Sequence, residues 1–196
     1  YFYHIFFQYN LLSIIPLSHK SKYFNFDSFI EKYMLIGPKR DCPSFNWLTW
    51  FIGFSEGDGS FIVAKRGDIH FVVVQDTRDI QVLHMIQETL GFGKVIKQGA
   101  TTSRYVVQDK KGLYLLSLLF NGNLVTKRKI FSFKNFNQAF NKYSNKGRLQ
   151  FEAINFDASI VIPTLEDSWV SGFIDSEGCF SATINSKIEV ILFFLT

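Results

Sequence analysis

Two stretches of this chain are apolar nearly all the way round a helix, and they are near copies of each other. Residues 47–61 read Trp-Leu-Thr-Trp-Phe-Ile-Gly-Phe-Ser-Glu-Gly-Asp-Gly-Ser-Phe, and residues 169–180 read Trp-Val-Ser-Gly-Phe-Ile-Asp-Ser-Glu-Gly-Cys-Phe. Each holds an internal glycine and closes on an acid, one further residue, a second acid and a glycine, with a Phe just beyond. The second acids, Asp58 and Glu177, are 177 − 58 = 119 positions apart. The same offset carries Gly53 onto Gly172, Phe54 onto Phe173, Gly59 onto Gly178 and Phe61 onto Phe180. A fixed offset held over this many positions is an internal repeat.

Between the copies the pattern alternates between helical and extended periods. Residues 60–66 and 69–76 read as two strands around a Gly67-Asp68 turn, with Ser60, Ile62, Ala64 and Arg66 facing one way and Phe61 and Val63 the other. Asp76 or Thr77 then caps a helix with Ile80, Leu83, His84, Ile86, Gln87 and Leu90 on one face, stopped by Gly91-Phe92-Gly93. A second hairpin is expected over 92–98 and 103–109, and helices over 111–120 and 126–142. The order helix, two strands, helix, two strands, helix gives an α+β layer: one antiparallel sheet, helices on one face, the other face bare. A looser stretch runs from Asn145 to Pro163, after which Thr164 is the expected cap of the second motif helix. Beyond Gly178 a strand alternates, Ser181, Thr183 and Asn185 on one side, then turns at Ser186-Lys187 into a second strand from Ile188. The chain therefore divides into an extension of unassigned role (1–43), a first repeat (44–150), a linker (151–163) and a second repeat (164–196) that stops after its first hairpin.

Inside each copy the residue choices work against simple helix stability. A mid-helix glycine costs roughly 0.5–1 kcal/mol against alanine, which makes sense at Gly53 and Gly172 if another backbone must come close. Acids in the last turn of a helix face the negative end of its dipole. A helix built only for stability would carry Lys or Arg there. Gly59 and Gly178 suit the left-handed residue that often follows a helix end.

Charge and composition narrow the function. Of 196 residues, 47% are hydrophobic and 23 are Phe, enough for a sizeable core, and the net charge is +4. From Lys110 to Phe151 there is no Asp or Glu, while Lys110, Lys111, Lys127, Arg128, Lys129, Lys134, Lys142, Lys146 and Arg148 all fall in that span. A one-sign surface interleaved with Phe, Tyr and Asn favours a phosphate backbone over an ordinary solvated face. Cys42 and Cys179 make neither a disulfide framework nor a zinc set, and His70 and His84 read as ordinary strand and helix residues. The first 17 residues are too short and too interrupted by polar residues to span a membrane, and they carry no import-signal pattern. Phe, Lys, Asn, Ile and Tyr are encoded by AT-rich codons, which fits an organellar genome.

Phe51-Ile52-Gly53-Phe54-Ser55-Glu56-Gly57-Asp58-Gly59 and Val170-Ser171-Gly172-Phe173-Ile174-Asp175-Ser176-Glu177-Gly178 resemble the two nine-residue signatures of the LAGLIDADG homing endonucleases. The resemblance covers about residues 44–196. It implies αββαββα repeats whose motif helices pack together, Gly53 against Gly172, beneath an antiparallel saddle sheet that holds double-stranded DNA. It also implies that the last acid of each motif, Asp58 and Glu177, binds a divalent ion such as Mg²⁺ beside a scissile phosphate. Glu56 and Asp175 are implied as supporting residues, Gln75 as a polar contributor to the water network and Lys127 as a basic residue near the site. The counterpart of Gln75 at the fixed offset is Phe194. Ser60, Ile62 and Arg66, with Ser181, Thr183 and Asn185, are the expected DNA-facing positions. The family implies a monomeric, site-specific nuclease encoded by a group I intron, mitochondrial by composition and family habit, with no membrane association. The alternatives are an RNA maturase that acts on intron RNA with the same scaffold, or an inactive remnant. Since the second repeat stops after one hairpin, weak cleavage by these 196 residues alone is expected.

Overall fold

The structure, a computed structural model, describes residues 23–184 and 188–194. Ten helical or extended segments between Asp27 and Ser144 form one layered unit. Helix α1 (Asp27–Ile36) precedes the first motif helix α2 (Phe45–Asp58), then strands β1 (Gly59–Val63) and β2 (Ile69–Asp76). A 3-10 turn at Thr77–Asp79, capped by the Asp76 carboxylate on the Arg78 N–H, leads into α3 (Ile80–Leu90). Strands β3 (Lys94–Lys97) and β4 (Thr102–Val107) and helices α4 (Lys110–Phe120) and α5 (Lys127–Ser144) complete it. The second motif helix is α6 (Trp169–Glu177), followed by β5 (Gly178–Ile184) and β6 (Ile188–Phe194).

The two hairpins of the first repeat join into one antiparallel sheet in the order β1-β2-β4-β3. Its register places Ser60 opposite Val72 and Ile62 opposite His70, then Val72 opposite Val106 and Val74 opposite Arg104. These residues share one face. The other face carries Phe61, Phe71, Val73 and Tyr105, and the helices pack on it. Phe61 is the hub there: its ring centroid lies 4.9 Å from Phe120, 5.2 Å from Phe133 and 5.4 Å from both Phe71 and Phe136. Each buried Phe contributes about 1.5–3 kcal/mol of apolar burial, so the buried phenylalanines supply a large part of the core.

Several local expectations are corrected. The core does not begin at residue 44: Phe24, Phe26, Phe29 and Tyr33 are buried, and the Tyr33 hydroxyl donates to the Leu90 carbonyl at 3.0 Å. α1 packs on α4, so its apolar stripe completes the helical layer. The part of the extension before residue 23 lies outside the described residues. The stretch 145–163 has almost no regular structure, yet it is not loose. Asn137 and Asn141 both donate to the Ile154 carbonyl at 2.9 Å, the Asn141 carboxamide accepts from Ile154 N–H, and Asn121 does the same for Asp157. Side-chain amides thus substitute for a strand partner. Thr164 does not cap α6; its backbone N–H donates to the Asp167 carboxylate at 2.6 Å, and Asp167 also accepts from the Trp169 N–H. Nor are Gly59 and Gly178 left-handed: both have φ −76° with extended ψ. Glycine is required there because a Cβ would sit 2.5 Å from the carbonyl oxygen of Ser55 or Ile174.

Candidate active site at the paired motif helices

α2 and α6 cross in close backbone contact. A Cβ on Gly53 would overlap the Trp169 carbonyl and lie 2.9 Å from the Phe173 nitrogen. A Cβ on Gly172 would overlap the Trp50 carbonyl and lie 2.9 Å from the Phe54 nitrogen. Trp50 and Trp169, like Phe54 and Phe173, are repeat counterparts at offset 119, so the approach is two-fold symmetric about the glycine pair. Both predicted interface glycines stand at that crossing.

The symmetry extends to polar contacts. The Trp50 indole N–H donates to the Asp175 carboxylate at 2.7 Å, and the Trp169 indole N–H donates to Glu56 at 3.2 Å. Each motif's first acid is therefore held by the other motif's tryptophan. Glu56 has a further duty, accepting the backbone N–H groups of Val125 and Thr126 at 2.7 Å, one on each oxygen. It is only 5% exposed. Burial pushes its carboxyl above the ordinary range, and the Thr126, Val125 and Trp169 donors pull it back. These first acids clasp the helix pair.

The second acids take no part in that clasp. Asp58 and Glu177 end their helices side by side: a Cβ on Gly57 would lie 2.7 Å from the Glu177 Cγ, so the glycine makes room for that side chain. Gln75, on the helix-covered face of β2, donates its amide to Asp58. Burial pushes the Asp58 carboxyl up to about 6; the Gln75 amide opposes this, the Glu177 charge adds to it and Lys129 opposes it. A buried carboxylate whose proton affinity is raised by burial and by a neighbouring acid gains from a bound cation. Among the described residues no group of three or more His, Cys, Asp and Glu could hold a metal. Asp58 and Glu177 would thus supply one protein ligand each, and water and phosphate oxygens the rest, which suits a hard divalent ion.

The site also holds a residue that sequence reasoning passed over. The Lys129 amine, 6% exposed, donates to the Gly57 carbonyl at 3.2 Å and to the Gly59 carbonyl. It is the cation missing from the last turn of α2, supplied by α5. Burial lowers its pKa, Arg128 adds to that, and Glu56, Asp58 and Glu177 oppose it. The signal was present in the sequence: Lys129 falls in register with Phe133, Phe136 and Phe140, a charged residue on an apolar stripe. Lys127, singled out instead, is exposed at the first position of α5.

The open sheet face carries the expected Ser60 and Ile62, and with them His70, Arg104 and Lys94. Arg104 was missed; its Nε–H is buried without a partner among the described residues. Arg66 is not on this face. β1 ends at Val63, the Ala64 N–H closes the turn on the Asp68 carbonyl, and Arg66 sits at the tip paired with Asp68. Ser181 and Thr183 lie on β5, while Asn185 is outside the described residues. The second hairpin corrects the assignment of Phe194. Gly59 pairs with Val73, but Gly178 pairs with Phe194, so Phe194 is the counterpart of Val73. Gln75 is two beyond Val73, and the same step from Phe194 reaches position 196, a Thr outside the described residues.

Residues 51–140 match the model of the LAGLIDADG endonuclease family. The chain belongs to the LAGLIDADG family. It is 43% identical over 143 residues to a probable intron-encoded endonuclease of Neurospora crassa, a match covering 71% of this chain and 25% of the relative. It is 25% identical over 141 residues to the intron-encoded RNA maturase bI4 of Saccharomyces cerevisiae, covering 72% of this chain and 20% of that protein. The chain thus spans a quarter or less of the length of these two relatives. The crystal structure of the LAGLIDADG meganuclease I-AabMI bound to uncleaved DNA superposes with a TM-score of 0.53 and 25% identity, over 74% of this chain and 64% of that one.

Proposed function

We propose that this chain forms the paired-helix centre of a site-specific double-strand DNA endonuclease that acts in intron homing, with Mg²⁺ or a similar divalent ion at Asp58 and Glu177. The observation that carries this reading is the pair of second acids, brought together by the Gly53–Gly172 crossing and raising the proton affinity of Asp58. A bound divalent ion supplies charge neutralisation and an activated water for phosphodiester hydrolysis. This chain's own residues orient that chemistry. Gln75 fixes the Asp58 carboxylate through its amide, the Trp–acid clasp sets the spacing of the helix ends, and Lys129 holds the carbonyls beneath the site. Lys127, exposed at the start of α5, would reach DNA phosphate rather than the carboxylates. Double-stranded DNA would lie on the bare sheet face, read by Ser60, Ile62 and Arg104 and by the Ser181 and Thr183 positions. A composition rich in residues specified by AT-rich codons and intron-encoded fungal relatives support a mitochondrial, organelle-encoded product.

The test is Mg²⁺-dependent cleavage of the intronless insertion site by the full intron-encoded protein. Asp58→Asn combined with Glu177→Gln should abolish cutting while leaving DNA binding intact. Binding should fall steeply with salt, each phosphate contact adding about 0.9 to the log–log slope. Undiminished cutting by the double variant, or a flat salt response, would remove this reading. The 25% identity to an RNA maturase supports a second one, assistance of intron splicing. That activity needs the basic surface and not the carboxylates, so it should survive the double substitution.

A further inference from the structure

The basic residues of the acid-free span do not all serve the saddle. The turn of the β1–β2 hairpin and the C-terminal half of α5 enclose a groove of about 590 Å³ on the outer edge of β1. One wall is Val63 to Asp68, with Lys65 and Arg66 at the tip. The other is Asn135, Gln138 and Lys142, at i, i+3 and i+7 on one face of α5, continued by Lys146. Because β1 is an edge strand and α5 lies on the helix-covered side of the sheet, the groove opens sideways, off the bare face.

Its shape is fixed. The Lys110 amine reaches across from α4, donating to the Leu149 carbonyl at 2.8 Å and to the Lys146 carbonyl, and lies 4.6 Å from the Tyr143 ring centroid. That ammonium ties down the segment that carries Lys146. Arg66 is paired with Asp68, but among the described residues no acid pairs with Lys65, Lys142 or Lys146. Lys65, Lys142 and Lys146, from two distant segments, therefore converge on one concavity whose lining acid, Asp68, is taken up by Arg66, beside amide side chains that can donate to oxygen. That combination is the chemistry of a phosphodiester backbone: point charges for the phosphates and neutral donors for sugar and phosphate oxygens.

We propose that this groove is a second phosphodiester-binding site, which grips the backbone of a nucleic acid strand running along the outer edge of β1, outside the saddle. The site rests on the nucleic-acid reading of the protein but not on catalysis. The strand comes either from the flank of a duplex that extends past the saddle or from an RNA.

The experiment uses the full intron-encoded protein carrying Asp58→Asn, so that cleavage plays no part. Lys142→Glu with Lys146→Glu is compared with Lys134→Glu, which alters charge on the same helix outside the groove. Three probes are titrated against salt: a short duplex covering the saddle alone, a longer duplex, and a single-stranded RNA. The groove variant is expected to bind the longer duplex or the RNA about 10-fold more weakly, its salt slope reduced by about 0.7–0.9 for each lost contact. The short duplex and the Lys134→Glu protein should behave as the parent does. Loss confined to the longer duplex names the DNA flank as the source, and loss confined to RNA names RNA; both support the groove. Unchanged binding of both overturns the proposal, as does equal weakening of the short duplex, which would make the groove part of the saddle. An equal effect of Lys134→Glu also overturns it, since charge alone would then suffice. A failure of the short duplex to bind the parent protein would instead count against the saddle reading.

Discussion

The two motif copies share a backbone geometry and differ in what surrounds it. Gly53 and Gly172 meet equivalent atoms, and Trp50 and Trp169 reach equivalent acids. Yet Glu56 is buried and bonded to two backbone N–H groups ahead of α5, whereas Asp175 is exposed and bonded to Trp50. Asp58 has Gln75 and Lys129 beside it. The difference teaches that the nine-residue signature specifies the helix pairing, while the rest of a repeat specifies the chemical environment of its acids. In the first repeat that role falls to the segment 124–126, α5 and β2.

The symmetric part of the comparison should break first. Gly53→Val and Gly172→Val each force a side chain into the facing backbone and are expected to cost about 3 kcal/mol or more, beyond the usual overpacking range. Denaturant unfolding of each variant measures this; a marked inequality would show that the crossing is not two-fold.

The next largest effect should be asymmetric. Glu56→Gln places an amide NH₂ against one of two backbone donors and should destabilise by about 1–3 kcal/mol. Asp175→Asn, at an exposed acceptor, should cost within about 0.5 kcal/mol. Equal costs would erase the distinction between the copies. Lys129→Met should similarly destabilise by about 1–2 kcal/mol through two unpaired carbonyls, while Lys127→Ala leaves the melting temperature unchanged.

The subtlest test concerns Asp58. Its carboxyl is raised from 3.8 to about 6, so folding favours the protonated form. That contribution is fully present below the unfolded value of 3.8 and is lost as pH rises through about 6. Without divalent ions, Asp58→Asn should therefore be more stable than the parent near neutral pH, with the gap closing on acidification, as thermal melts across that range would show. Mg²⁺ should narrow the gap at neutral pH by stabilising the parent. A gap independent of pH would mean that Asp58 is not strained by burial and Glu177.

By itself the sequence determined the repeat, the interface glycines, the element order from residue 44 onward and the two acids, because all of these are written in spacing along the chain. An offset of 119 and a period change from helix to strand need no knowledge of neighbours. The resemblance set Asp58 and Glu177 apart as the expected metal-binding acids, but only the tertiary structure decided what surrounds each acid. Glu56 and Asp58 are the same kind of residue two positions apart, and only the arrival of Trp169, Val125 and Thr126 at one and Gln75 and Glu177 at the other separates them. The structure also decided that Lys129 rather than Lys127 turns inward, and that a longer second hairpin shifts Phe194 opposite Gly178. These are contacts between segments far apart in the chain, and the free energy of burying a charge depends on the partners it meets there rather than on its place in the sequence.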